Sequence, residues 1–412
     1  MKLVYVVLDA GLGGHTRTAV TLASGMRSRG HDIRFLIGEA SPDAVVRGAG
    51  FTPVRVRHRF RTDLAAQTGE DFDAIHLFST LGLVESASLG VGRDKPVIYT
   101  RCGGPPVREP LELKLMQRLS PPLLTCLSSE NQAELRELCP AAEVQVIPAR
   151  IDTGELRARQ NSEKWLEFRR KHGIEPEAKI ILRIARIGPA YTRGILEGID
   201  AAAELRKRGR KVTFVHIGYA DVPALAEQVR KRCSEVPFAV SEEEVAMDAQ
   251  SYLGMADAIF GMGRTAFEAL AVGCPLFLVN KDGYSALVQK DNIDLFAEFN
   301  FSGRNAAPLP RAQLVDDLGR VLFEPGVRED LAAMGTEYAD RFLDVRHSLA
   351  AYEALYQGPA RLPAASNIRA AMPFAVAKRG LRAMMSKSFR AQLSARLRAS
   401  RRRWHPKRAA LG

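Results

Sequence analysis

The chain has 412 residues, 46% of them hydrophobic and 26% charged, an ordinary globular composition with length enough for two domains. Its five cysteines, Cys102, Cys126, Cys139, Cys233 and Cys274, are scattered without a CxxC pair, and its eight histidines lack HxxxH or HExxH spacing. A disulfide framework and a zinc motif are therefore not expected, and a reducing cytoplasm fits. The net charge is +12, yet 14 of the 59 basic residues and none of the 47 acidic ones lie between Arg361 and Gly412, so the body is near neutral and the tail carries the excess.

The N-terminal stretch holds Asp9 among its apolar residues and is too short for a signal h-region, so it reads as a first buried strand. No apolar run approaches the roughly 20 residues that span a bilayer. Leu3–Leu8 is followed by a glycine-rich turn, and Thr16–Arg29 has helical spacing closed by Gly30. Strand-like runs follow at Ile33–Ile37, Val54–Val56, Ala74–Phe78, Val97–Thr100, Leu123–Leu127 and Val144–Ile147. The pattern restarts with a strand at Lys179–Ile184, a helix at Ile195–Lys207 and a strand at Val212–Ile217. Phe238–Val240, Ala258–Phe260 and Pro275–Val279 continue it, and Phe342–Tyr356 reads as a last amphipathic helix. Continuous apolar strands separated by helices imply parallel sheets covered on both faces. The expected fold class is α/β, two tandem Rossmann-like doubly wound domains, residues 1–152 and 153–340. A crossing helix at 341–358 and a basic amphipathic helical tail at 359–412 follow. Ligands of such domains bind outside the carboxyl ends of the strands.

Three motifs fall at such ends. Gly11-Leu-Gly13-Gly14-His-Thr-Arg17 follows the first strand, where glycines allow close backbone approach and a helix N-terminus favours an anion. Its spacing is not GxGxxG, so a nicotinamide dinucleotide is poorly supported, and a ligand-free tight turn reads equally simply. Arg186-Ile-Gly-Pro-Ala-Tyr-Thr-Arg193-Gly194 places two guanidinium forks beside a turn. That arrangement suits phosphate oxygens and charge building on a departing diphosphate, or is a solvated basic loop. Gly261-Met-Gly263-Arg264-Thr265-Ala-Phe-Glu268 leads on to Gly273-Cys-Pro275; its free N–H groups suit a phosphate. Glu268 can accept both hydroxyls of a ribose or simply answer the helix dipole. His76 reads as a core histidine in preference to a residue lining the acceptor side, and Gly283-Tyr284 and Asn300–Arg304 as loops near the donor's lobe, open to donor or acceptor contacts.

The order and intervals of Pro148…Asp152, Arg186…Arg193-Gly194 and the glycine motif ending at Pro275 resemble family 4 glycosyltransferases of the GT-B fold, over roughly Met1 to Tyr356. The resemblance implies that Arg186 and Arg193 meet the donor diphosphate and that Glu268 holds the ribose. It further implies phosphate contacts from Gly263, Arg264 and Thr265, and approach of Gly13 and Gly14 from the other lobe. Retention of anomeric configuration is implied, with no metal and no cofactor beyond the nucleotide-diphosphate sugar that serves as donor. Three positions depart from the pattern. Phe260 stands where the family often has a glutamate, Cys102 where a histidine precedes glycine, and Arg193 where a lysine is usual.

In the tail, Leu381, Met385, Phe389, Leu393 and Leu397 recur every four residues, with arginines on other faces and Trp404 near the end. An apolar stripe with cations elsewhere suits an anionic membrane surface from Leu381 to Trp404. Docking on the body and binding of nucleic acid are the alternatives, the latter disfavoured by the few aromatic residues. The expected function is transfer of a sugar from a nucleotide-diphosphate sugar to a hydroxyl acceptor, a lipid-linked or surface glycan. The site of action would be the inner face of the cell membrane. A sugar-nucleotide epimerase of the same fold and a non-catalytic nucleotide-sugar-binding protein are the rival readings.

Overall fold

The computed structural model describes residues 1–7, 14–38, 43–56, 71–78, 95–103, 123–140, 142–148, 150–233, 239–240 and 243–358. Two sheets organise them. The first runs β1 (Lys2–Val7), β2 (Asp32–Gly38), β3 (Pro53–Val56), β4 (Ala74–Leu77), β5 (Val97–Arg101), β6 (Leu123–Cys126) and β7 (Val144–Val146) along the chain. Its spatial order is β3-β2-β1-β4-β5-β6-β7, every pairing parallel. The second contains β8 (Lys179–Ile184), β9 (Val212–Ile217), β10 (Ala239–Val240), β11 (Ala258–Gly261), β12 (Leu276–Asn280) and β13 (Gly283–Leu287), ordered β10-β9-β8-β11-β12-β13. Only β13 is antiparallel; Gly283 and Tyr284, read from sequence as loop, open this edge strand. Strand order reverses between β1 and β4 and again between β8 and β11, and such reversals open the crevices where ligands enter doubly wound sheets.

The strands are apolar throughout because both faces are covered. Ile180, Leu182 and Leu276 belong to a core on one side of the second sheet, while Ile181, Phe260 and Phe277 belong to a core on the other. Phe260 is fully buried and stacks on Phe277 with ring centroids 5.6 Å apart. Among the described residues no helix is long and apolar enough to cross a membrane.

The return of the chain to the first sheet differs from the single helix expected over Phe342–Tyr356. A π-turn at Ala339–Leu343 ends in extended Asp344, and the helix proper is Arg346–Tyr356. Asp344 is the reason for the break. Its carboxylate accepts from Thr153 N and Oγ1 (3.2 and 2.6 Å) and from Arg346 N and Nε (both 2.8 Å). Burial works to raise its pKa, but the hydrogen bonds from Arg346 and Thr153 outweigh it and bring the carboxyl to about 2. Arg346–Tyr356 then packs on helix Gly14–Ser28, where a Cβ at Gly25 would lie 2.7 Å from Leu349 Cδ2. Tyr356 Oη closes the contact, 2.7 Å from Tyr5 Oη and 2.7 Å from His76 Nδ1. His76 Nε2 meets Thr100 Oγ1 at 2.6 Å, so His76 is a core histidine with both nitrogens satisfied. Burial pushes its pKa down to about 3.

Candidate functional site

Strand β11 runs into a turn at Gly263, whose φ of +56° is a left-handed value that glycine adopts without strain. Its N–H donates to Phe301 O at 2.7 Å, and helix Arg264–Ala271 starts at the next residue. Thr265 Oγ1 donates to Ile184 O at 3.4 Å, which ties the helix start to the end of β8. The third sequence motif thus sits at the reversal between β8 and β11.

Arg264 leans from this turn across the gap between the sheets. Its Nε donates to Glu268 Oε1 at 2.8 Å, its Nη2 to Thr21 Oγ1 at 3.1 Å and its Nη1 to Arg150 O at 3.3 Å. A Cβ at Gly14 would lie 3.8 Å from Arg264 Cβ, so the start of helix Gly14–Ser28 in the first lobe meets the GxGR turn of the second. Glu268 Oε1 also accepts from Gln250 Nε2 at 2.6 Å, and Gln250 Oε1 accepts from Arg17 Nη1 at 2.9 Å. Burial lowers the pKa of Arg17, partly countered by Glu268. Arg17, Thr21, Gln250, Arg264 and Glu268 line a hollow of about 270 Å³ between the lobes, together with Asp152. Low dielectric there strengthens each charge interaction and makes an unpaired charge costly.

The two arginines of the second motif stand apart. Arg186 Nη1 pairs with Asp221 Oδ2 at 2.9 Å and lies over the Tyr191 ring at 5.6 Å. Arg193 Nε pairs with Glu197 Oε1 at 2.6 Å and lines a separate hollow with Asp200, Arg232 and Arg311. Neither lines the hollow that holds Glu268. The structure therefore brings Gly14, Arg264 and Glu268 together, places Gly263 and Thr265 at the same turn, and leaves Arg186 and Arg193 with acidic partners of their own. Gly13 and the segment Leu381–Trp404 lie outside the described residues.

Sequence reading missed Arg17, Gln250 and Arg150, and gave Asn300 no role beyond a loop open to ligand contacts. Arg17 closes the first glycine motif and Arg150 lies inside Pro148…Asp152, so position in a motif was their available signal. Gln250 and Asn300 reach the junction through a 3-10 segment and a left-handed turn, neither of which has a periodic pattern.

No family model matches this sequence, and no curated protein does. Solved structures do. HepE from Anabaena, crystallised with UDP-glucose, has a TM-score of 0.63 at 15% identity, covering 86% of this chain and 99% of its own. A glycosyltransferase from Rickettsia africae ESF-5 has a TM-score of 0.64 at 14% identity, covering 86% and 97%. WaaG, a glycosyltransferase involved in lipopolysaccharide biosynthesis, has a TM-score of 0.53 at 17% identity, covering 86% and 100%. At these identities the likeness is one of architecture, and the chain shares the two-lobed GT-B fold with glycosyltransferases.

Proposed function

We propose that the protein is a glycosyltransferase that moves a sugar from a nucleotide-diphosphate sugar to a hydroxyl acceptor. The observation that carries this reading is the meeting of Gly14 with Arg264 and Glu268 at the reversals of two doubly wound sheets. The fold shared with proteins solved with UDP and UDP-glucose supports it. In the reaction the bond from the anomeric carbon to the diphosphate oxygen breaks and that oxygen keeps the electron pair. The acceptor oxygen bonds to the anomeric carbon, and its proton leaves with the nucleoside diphosphate. Arg264 and the N–H groups of its helix start would stabilise the growing negative charge, which is commonly the largest catalytic contribution. Arg186 and Arg193 join them once a diphosphate competes with Asp221 and Glu197 for their guanidinium groups. Glu268 would exchange Gln250 for a ribose hydroxyl. The family 4 resemblance favours retention of anomeric configuration.

We assign the acceptor to a lipid-linked or surface glycan and the place of action to the inner membrane face, because 14 cations and no acidic residue lie from Arg361 to Gly412. Each cation near an anionic surface contributes about 1 kcal/mol. Full-length protein should pellet with anionic liposomes and a chain truncated at Leu362 should not; equal pelleting would refute the membrane assignment. For the chemistry, turnover of UDP-, GDP- and ADP-sugars with a native lipid extract is the test. Arg186→Ala should lower transfer by about 10²-fold with the fold intact. The non-catalytic alternative draws on Phe260, closed inside the sheet, and on the pairing of Arg193 with Glu197; absence of any sugar transfer would select it. An epimerised sugar nucleotide formed without acceptor would select the epimerase.

A further inference from the structure

Arg150 is placed unlike any other cation described at the lobe junction. It follows β7 at the crossover between lobes, and its backbone N–H is tied to Leu343 O at 3.0 Å. The side chain is only 4% exposed. Its guanidinium lies over the Phe267 ring at 4.1 Å, and its Nε has no hydrogen-bond partner among the described residues. No carboxylate pairs with it there. Burial first, then repulsion from Arg264, push its pKa down to about 9. A buried guanidinium without an anion is strongly unfavourable unless something that binds there answers it.

A second orphan precedes Phe301, whose ring packs edge-on, at 5.3 Å, on the Phe267 ring that Arg150 covers. Asn300 is 7% exposed and its Oδ1 has no partner. From the other side, a Cβ at Gly103 would lie 2.9 Å from Asn300 Nδ2, and the neighbouring Cys102 interacts electrostatically with Arg150. Arg150 and Asn300 therefore converge on the Cys102-Gly103 segment from the crossover and from the second lobe. Asn300 and Phe301 hold positive φ angles of 57° and 49°, conformations that cost energy and persist where surroundings enforce them. Exchange of the amide ends turns the unmatched group of Asn300 from acceptor to donor.

We propose that Arg150, with the Asn300 amide, is an oxyanion-binding site at the lobe junction and that it takes a phosphoryl group. Arg264 repels Arg150, and Glu268, which pairs with Arg264, is the carboxylate that draws on Arg150, so an anion arriving here would meet two guanidinium groups that share one partner. The phosphoryl group belongs either to a donor diphosphate or to a phosphorylated acceptor; only this choice of source rests on the glycosyltransferase reading.

Calorimetric titration of the full-length protein with inorganic pyrophosphate tests the site. Wild type should bind, Arg150→Gln should bind at least about tenfold more weakly, and Arg150→Lys should fall between. Asn300→Gly, which suits the positive φ, should lose about threefold, and Arg208→Gln, in an exposed pair with Glu204 away from the junction, less than twofold. Without anion, Arg150→Gln should melt at or above the wild-type temperature, because it removes an unpaired buried charge; a purely structural role predicts a lower melting temperature. No pyrophosphate binding by wild type, or wild-type binding by both Arg150→Gln and Asn300→Gly, overturns the proposal. Should Arg150→Gln not fold, the Asn300→Gly and Arg150→Lys titrations decide. One-for-one displacement of pyrophosphate by ADP, GDP or UDP assigns the site to the donor, and simultaneous binding assigns it to the acceptor. Arg150-dependent pyrophosphate binding in a protein that transfers no sugar would retain the site and reject the glycosyltransferase reading. Sugar transfer with pyrophosphate binding indifferent to Arg150 would do the reverse.

Discussion

Arg264 and Arg193 occupy matching places. Each lies in the first turn of a helix that follows a strand of the second sheet, and each pairs with a glutamate four residues on. Their surroundings differ. The Arg264 and Glu268 side chains are 12% and 5% exposed, whereas Arg193 is 61% exposed. Arg264 also reaches Thr21 and Arg150 O in the other half of the molecule, while Arg193 points along its own helix. An exposed pair at this spacing contributes only a few tenths of a kcal/mol, and loss of one partner of a buried pair costs about 3–5 kcal/mol. One spacing thus serves a structural and electrostatic junction in one place and an exposed, weakly held pair in the other. The exposed cation is the one available to move toward a ligand.

The largest effect should come from Glu268→Ala, which strands Arg264 and leaves Gln250 without its acceptor. Urea unfolding should show a loss of about 3–5 kcal/mol, and a loss under 1 kcal/mol would place the pair in effect on the surface. His76, fully enclosed beneath Arg346–Tyr356, extends the series to a site with no solvent. Its folded pKa of about 3 lies below the ordinary 6.5, so its contribution is complete above pH 6.5 and is lost as pH falls toward 3. Stability should decline over that window with a slope approaching about 1.4 kcal/mol per pH unit for each such proton. His76→Gln should flatten the slope, and an unchanged acid limb would contradict the assignment.

Arg304 and Glu130 form a two-pronged ion pair between the halves, with Nε to Oε1 at 2.8 Å. A double-mutant cycle should return a coupling of about 1 kcal/mol that shrinks in high salt; zero coupling would mean that the pair is not populated in solution. The smallest stability effect belongs to Arg193→Ala, within about 0.5 kcal/mol of wild type. Transfer activity in that variant should nevertheless fall, and full activity would show that Arg193 never leaves Glu197.

Alternating apolar strands and helices were legible along the chain because burial on both sheet faces demands uninterrupted Val, Ile, Leu and Phe, as in Lys179–Ile184 and Val212–Ile217. The glycine turns before Gly14–Ser28 and Arg264–Ala271 were legible as helix starts, since turns at strand ends favour glycine. Local sequence determined these features because strand, turn and helix start each depend on a few adjacent residues. Other features depended on groups far apart in the chain. Asp344 breaks the last helix through Thr153, Arg264 meets Thr21, and Arg150 Nε and Asn300 Oδ1 are buried without hydrogen-bond partners among the described residues. Tertiary structure alone decided them, because burial and partnership of a charge are set by what folds against it and leave no periodic trace in the sequence.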